Sequence, residues 1–80
     1  MSYVIFDLET TGLSPRYHEI IQVAALRLSS TGAEACAAFS TFVRPQRRIP
    51  SHITELTGID QSMVACAPAV AEALVRFSAY

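Results

Sequence analysis

Eighty residues suffice for one small domain with a thin stability margin. With 51% of them apolar, an intrinsically disordered chain is excluded, and a net charge of −1 excludes a protein that coats nucleic acid through bulk charge. No apolar run is long enough to span a bilayer, no cationic leader opens the chain, and a cytoplasmic protein without membrane contact is expected.

The apolar share exceeds what so small and surface-rich a domain needs, which hints at a face that expects a partner. Cys36 and Cys66 stand alone, outside any metal-binding or redox spacing, and read as small buried residues in a reducing compartment.

Residues 2–9 form an unbroken run of β-branched, aromatic and aliphatic residues that predicts a strand, closed by the turn signals Gly12 and Pro15. The next segment, HEIIQVAALRLSS, is ambiguous. Ile20, Ile21, Ala24, Ala25 and Leu28 make a helical stripe, whereas Ile21, Val23 and Ala25 fit one face of a strand, and pattern alone slightly favours the helix. STGAE at 30–34 predicts a turn, and CAAFSTFVRP at 36–45 a further strand closed by Pro45. A strand, a glycine turn and a strand in sequence suggest an antiparallel hairpin.

RPQRR follows, with Arg44, Arg47 and Arg48. Arginine forks onto phosphate oxygens, but such a segment is more simply a solvated basic loop. A short helix is predicted over PSHITELTGI, with Ser51 as N-cap, only a partial capping box because Glu55 falls one place too far, and Gly58 as left-handed terminator. Asp60 is placed to cap one further turn. Pro68 reads as the first residue of a last helix whose apolar stripe is Val70, Leu74 and Phe77.

The chemistry concentrates in FDLETTGL. Residues two apart on a strand project from one face about 6.5 Å apart, so Asp7 and Glu9 point together, opposite Phe6 and Leu8. In a buried central strand, repulsion and desolvation would disfavour both charges, and a divalent cation would remove the conflict. An acid pair at a strand end is, taken alone, most simply a solvated terminus. Thr10, Thr11 and Gly12 change that weighting, because two hydroxyls and a permissive backbone beside the acids can approach a sugar or phosphate closely.

FDLETTGLSPRYHEIIQVAALR resembles the first motif of the DEDD-type 3′–5′ exonucleases, typified by the proofreading epsilon subunit of bacterial DNA polymerase III. The similarity continues through FVRPQRRIPSHITELTGID and so spans nearly the whole chain. The resemblance implies an α/β, RNase H-like exonuclease fold, here its N-terminal part: a three-stranded antiparallel sheet, a short helix and a C-terminal helix. It makes the ambiguous EIIQVAALR segment the second strand.

It further implies hydrolysis of nucleic-acid phosphodiesters with two divalent cations, Mg²⁺ or Mn²⁺, releasing nucleoside 5′-monophosphates. Asp7 and Glu9 correspond to the family's first two metal-ligand carboxylates. Thr10, Thr11, Gly12 and Leu13 match the segment that holds the terminal nucleotide, and Leu56 matches a position that packs on its base or sugar. For Leu56, ordinary helix packing reads equally well.

The family's two later carboxylates and its general base, carried by segments with histidine and aspartate, do not occur in these residues. His18 and His52 read as ordinary loop histidines. Residues 1–80 are therefore expected to be a partial exonuclease domain, inactive alone, with the 3′ end of single-stranded DNA or RNA as substrate and a DNA polymerase subunit as possible partner. The first strand would then be a free edge open to self-association. The alternative is a non-catalytic nucleic-acid-binding or protein-interaction module that keeps the fold.

Overall fold

The computed structural model describes residues 3–30 and 35–80. Three strands, β1 (Tyr3–Thr10), β2 (Ile20–Leu28) and β3 (Ala35–Phe42), precede three helices, α1 (Ser51–Thr57), α2 (Gln61–Val64) and α3 (Val70–Ala79). The sheet order is β1-β2-β3 with both pairings antiparallel, as expected for the hairpin and the fold. The turn expected at 30–34 falls largely outside the described residues.

The ambiguous segment is a strand. Ile21, Val23 and Ala25 are 0, 1 and 5% exposed and form the inner face of β2. Two apolar clusters build on that face. Ile21 packs with Ile49, Ile53, Ile59 and Val64 from α1, α2 and their flanking loops, while Val23 packs with Val43 and Ala73 of α3. Burying a side chain of this size stabilises by about 1.5–3 kcal/mol, so these contacts dominate a domain of this length. In β1, by contrast, every residue from Tyr3 to Leu8 is exposed.

Several local expectations shift by a residue or two. The N-cap of α1 is Pro50, not Ser51: its carbonyl accepts from the Ile53 and Thr54 amides, and no side chain caps the turn. Proline's φ of −61° with ψ of 144° already supplies the extended geometry that an N-cap requires. Gly58 terminates α1 at φ 78°, as predicted. Asp60 caps α2, its carboxylate accepting from the Met63 amide at 3.0 Å while the Met63 sulfur faces the Asp60 amide at 3.4 Å.

Pro68 does not open α3, which starts two residues later after Ala69. The Pro68 carbonyl accepts from the Arg44 amide and the Ala67 carbonyl from the Arg44 guanidinium, so this stretch bridges to the end of β3 before it can coil. On α3 the fully buried residue is Ala73, with Phe77 tilted against Phe6 and Phe39, whereas Val70 and Leu74 stay about half exposed. A small residue lets the helix approach Val23 and Val43 closely, which rotates the expected stripe. Cys66 is exposed rather than buried, because it lies in the turn after α2. The side chain of Cys36 lies outside the described residues.

Candidate active site

Asp7 and Glu9 lie on β1 in regular register, opposite Ala24 and Gln22 of β2. Strand alternation puts both acids on the sheet face away from the helices, beside Ile5 and Leu26, which are 58 and 43% exposed. Asp7 borders an open apolar depression there, shared with Ile5, Ala24, Leu26, Ala38 and Ser40. Because β1 is an edge strand and Asp7 is exposed, the buried central setting considered from sequence is not met. The Asp7 carboxylate accepts from the Leu8 amide at 3.0 Å. Among the described residues no cationic side chain pairs with either acid.

The register slips between Glu9 and Thr10: Glu9 faces Gln22, Thr10 faces Ile20, and Ile21 is the extra residue of a bulge. A bulge bends the strand and re-aims the residues beyond it. Here it turns the chain into the loop 11–19. Thr11, the one buried polar residue among those described, forms the neck: its amide donates to the Glu19 carbonyl and its hydroxyl accepts from the Glu19 amide, both at 2.9 Å. Thr10 donates its hydroxyl proton to the Gly12 carbonyl at 2.7 Å. Both threonine hydroxyls thus shape the loop itself, and Leu13 at its tip is 100% exposed.

Two residues that the sequence presented as unremarkable hold this loop. Glu19 reaches the arginine-rich segment, its two carboxylate oxygens accepting from the Gln46 and Arg47 amides at 2.7 and 3.0 Å. Arg47 returns the contact by donating to the Tyr17 carbonyl at 2.7 Å. Arg44, Arg47 and Arg48 remain exposed. His18 accepts from the Ser14 amide and lies so close to Gly12 that a Cβ there would meet the ring at 2.6 Å. The spacing from Ser14 to His18 holds no motif that would have signalled this. Leu56 projects from α1, 81% exposed, and belongs to neither apolar cluster, so helix packing does not account for it.

An exposed and a half-buried carboxylate on one face, with no cationic side chain paired to them among the described residues, form a hard-oxygen donor set suited to Mg²⁺ or Mn²⁺ completed by water or phosphate oxygens. Among the described residues no group of three or more acids, histidines or cysteines could hold a metal ion. A pair of acids at a bulged strand end leads into a braced loop on a three-stranded antiparallel sheet, the arrangement expected for the N-terminal part of an RNase H-like fold.

Comparison with known proteins agrees. A family model described as Exonuclease matches residues 4–80. The chain belongs to the exonuclease family. It is 48% identical over 75 residues to the PolC-type DNA polymerase III of Caldanaerobacter subterraneus subsp. tengcongensis, covering 94% of this chain and 5% of that protein. With a DNA polymerase III subunit epsilon-like protein of Rhodobacter capsulatus it shares 46% identity over 78 residues, 96% of this chain and 11% of the relative. Its fold matches the nuclease domain of 3′hExo, a DEDDh family member bound to rAMP, with a TM-score of 0.83 at 29% identity, covering 95% of this chain and 41% of that one. The chain thus spans only a small part of the curated relatives it matches.

Proposed function

We propose that this chain supplies the first carboxylate pair and the terminal-nucleotide segment of a metal-dependent 3′–5′ exonuclease. The observation that carries the reading is the shared open face of Asp7 and Glu9 next to the braced loop. Both acids would hold the cations, Mg²⁺ or Mn²⁺, with the remaining positions filled by water and by phosphate oxygens of the substrate. When bound, such ions polarise the phosphodiester and lower the pKa of an attacking water.

The chain's own residues do the positioning. Thr10, Thr11 and Gly12 give the loop its shape, and Leu13 and Leu56 offer apolar contact to the base or sugar of a single-stranded DNA or RNA 3′ end. Their exposure supports this, since neither side chain is used by the fold. Residues 1–80 form part of a larger catalytic domain in this reading, inactive alone, and a polymerase subunit is the partner suggested by the PolC-type relatives. A second reading, a non-catalytic module, is favoured by the apolar edge of β1, unpaired among the described residues, through which the chain would self-associate.

The two readings separate on metal binding. Titrating Mn²⁺ into the isotopically labelled chain should broaden amide signals around Asp7–Thr10 first, and Asp7→Asn should abolish that selectivity. Uniform broadening would remove the metal-site assignment. In a longer polypeptide that carries the rest of the domain, Asp7→Ala should lower mononucleotide release on the order of 10³-fold, as loss of several kcal/mol of transition-state stabilisation implies, with the fold unchanged.

A further inference from the structure

His18 is an exposed histidine in the loop 11–19, and its ring is more constrained than exposure suggests. Its Nδ1 accepts from the Ser14 amide at 2.9 Å, and its own amide donates to the Ser14 carbonyl at 2.8 Å, so the two residues close a ring of hydrogen bonds. The imidazole also lies over the Gly12 Cα, where even a methyl group would come within 2.6 Å of three ring atoms. Segment Gly12–Ser14, with Leu13 between them, therefore takes its shape from the ring beneath it. An accepting Nδ1 needs a lone pair, which places the proton of the neutral ring on Nε2.

We propose that His18 is a positioning residue: its ring holds Gly12–Ser14 in the shape that presents Leu13 to a nucleotide. This rests on the exonuclease reading for the identity of the ligand, but the brace itself does not. The groups around the ring are few. His18 lines a cleft with Glu19, Arg44 and the uncharged Val70 of α3. The Glu19 carboxylate is already engaged by the Gln46 and Arg47 amides.

The test tracks the ring and the Ser14 amide together by nitrogen-15 spectroscopy of the whole chain. In the wild type the Ser14 amide should be protected from hydrogen exchange. His18→Asn, whose Oδ1 can replace Nδ1 as acceptor, should keep it protected. His18→Ala should leave it unprotected and shift the Ser14 and Gly12 amide signals together. With adenosine 5′-monophosphate and Mg²⁺ as probe, the Leu13 methyl response should weaken about fivefold in His18→Ala, the equivalent of one ordinary hydrogen bond, and persist in His18→Asn. Equal Ser14 protection in wild type and His18→Ala overturns the brace. A Leu13 methyl blind to nucleotide in the wild type, with Ser14 protected there and exposed in His18→Ala, overturns the presentation role and the nucleotide reading while the brace stands.

Discussion

Gly12 and His18 show how one missing side chain fixes a local shape. No left-handed backbone calls for glycine at position 12, since among the described residues Gly58 is the glycine with a positive φ. What calls for it is the imidazole pressed on its Cα. Gly12→Ala should push the ring off Ser14 and forfeit about 1 kcal/mol, the net worth of one hydrogen bond. Faster exchange at the Ser14 amide would register it, and an unchanged rate would mean that the ring moves aside freely. Asp7 and Glu9 make a complementary point. Their pairing on one face follows from a period of two and was legible in the sequence, whereas the bulge that bends the chain just beyond Glu9 was not. A bulge depends on which residue of the neighbouring strand is skipped, here Ile21.

Among the elements, the four-residue helix α2 depends most on its cap. The Ser62 hydroxyl, donating to the Asp60 carboxylate at 2.6 Å, and then the Met63 amide hold that carboxyl below its ordinary value of 3.8. A depressed folded-state pKa stabilises fully above the unfolded value, and the contribution is lost as pH falls through the folded one. The cap should therefore be intact above about 3.8 and fail progressively below it. Met63 amide exchange measured down the acid range should accelerate there in the wild type, and Asp60→Asn should flatten that dependence. The Asp60 cap and the Gly58 terminator were readable from sequence because each acts on its own few neighbours, whereas the N-cap of α1, expected at Ser51, is Pro50. The start of α3 was not readable, since the carbonyls of Ala67 and Pro68 are taken by Arg44 from the far end of β3.

For the molecule as a whole, the distribution of apolar surface is uneven. The helices cover β2 well and β1 poorly: Val4, Ile5 and Phe6 are 48, 58 and 57% exposed on a strand with an outer edge unpaired among the described residues. Such an edge is a template for another strand, and charged residues placed on it block pairing. Sedimentation of the isolated chain should show concentration-dependent association, and Ile5→Lys should shift it toward monomer. A monomer at all concentrations would show that this edge is not used. Among the described residues no helix is long and apolar enough to cross a membrane, so the exposed surface is not that of a spanning helix.

The sequence by itself determined the first and third strands, the Gly58 and Asp60 helix boundaries and the common face of the two acids. These are effects of backbone period and of neighbours within a turn. The pattern of EIIQVAALR left helix and strand open and the family resemblance chose the strand; the structure supplies the physical reason, because β1 and β3 take up its backbone hydrogen bonds on both sides. Tertiary structure alone decided that α3 docks through Ala73, that Cys66 faces solvent, and that His18 and Glu19 brace the candidate nucleotide loop. Each of those outcomes depends on contacts brought together by folding or on how closely two elements can approach, and a local pattern of residues holds neither.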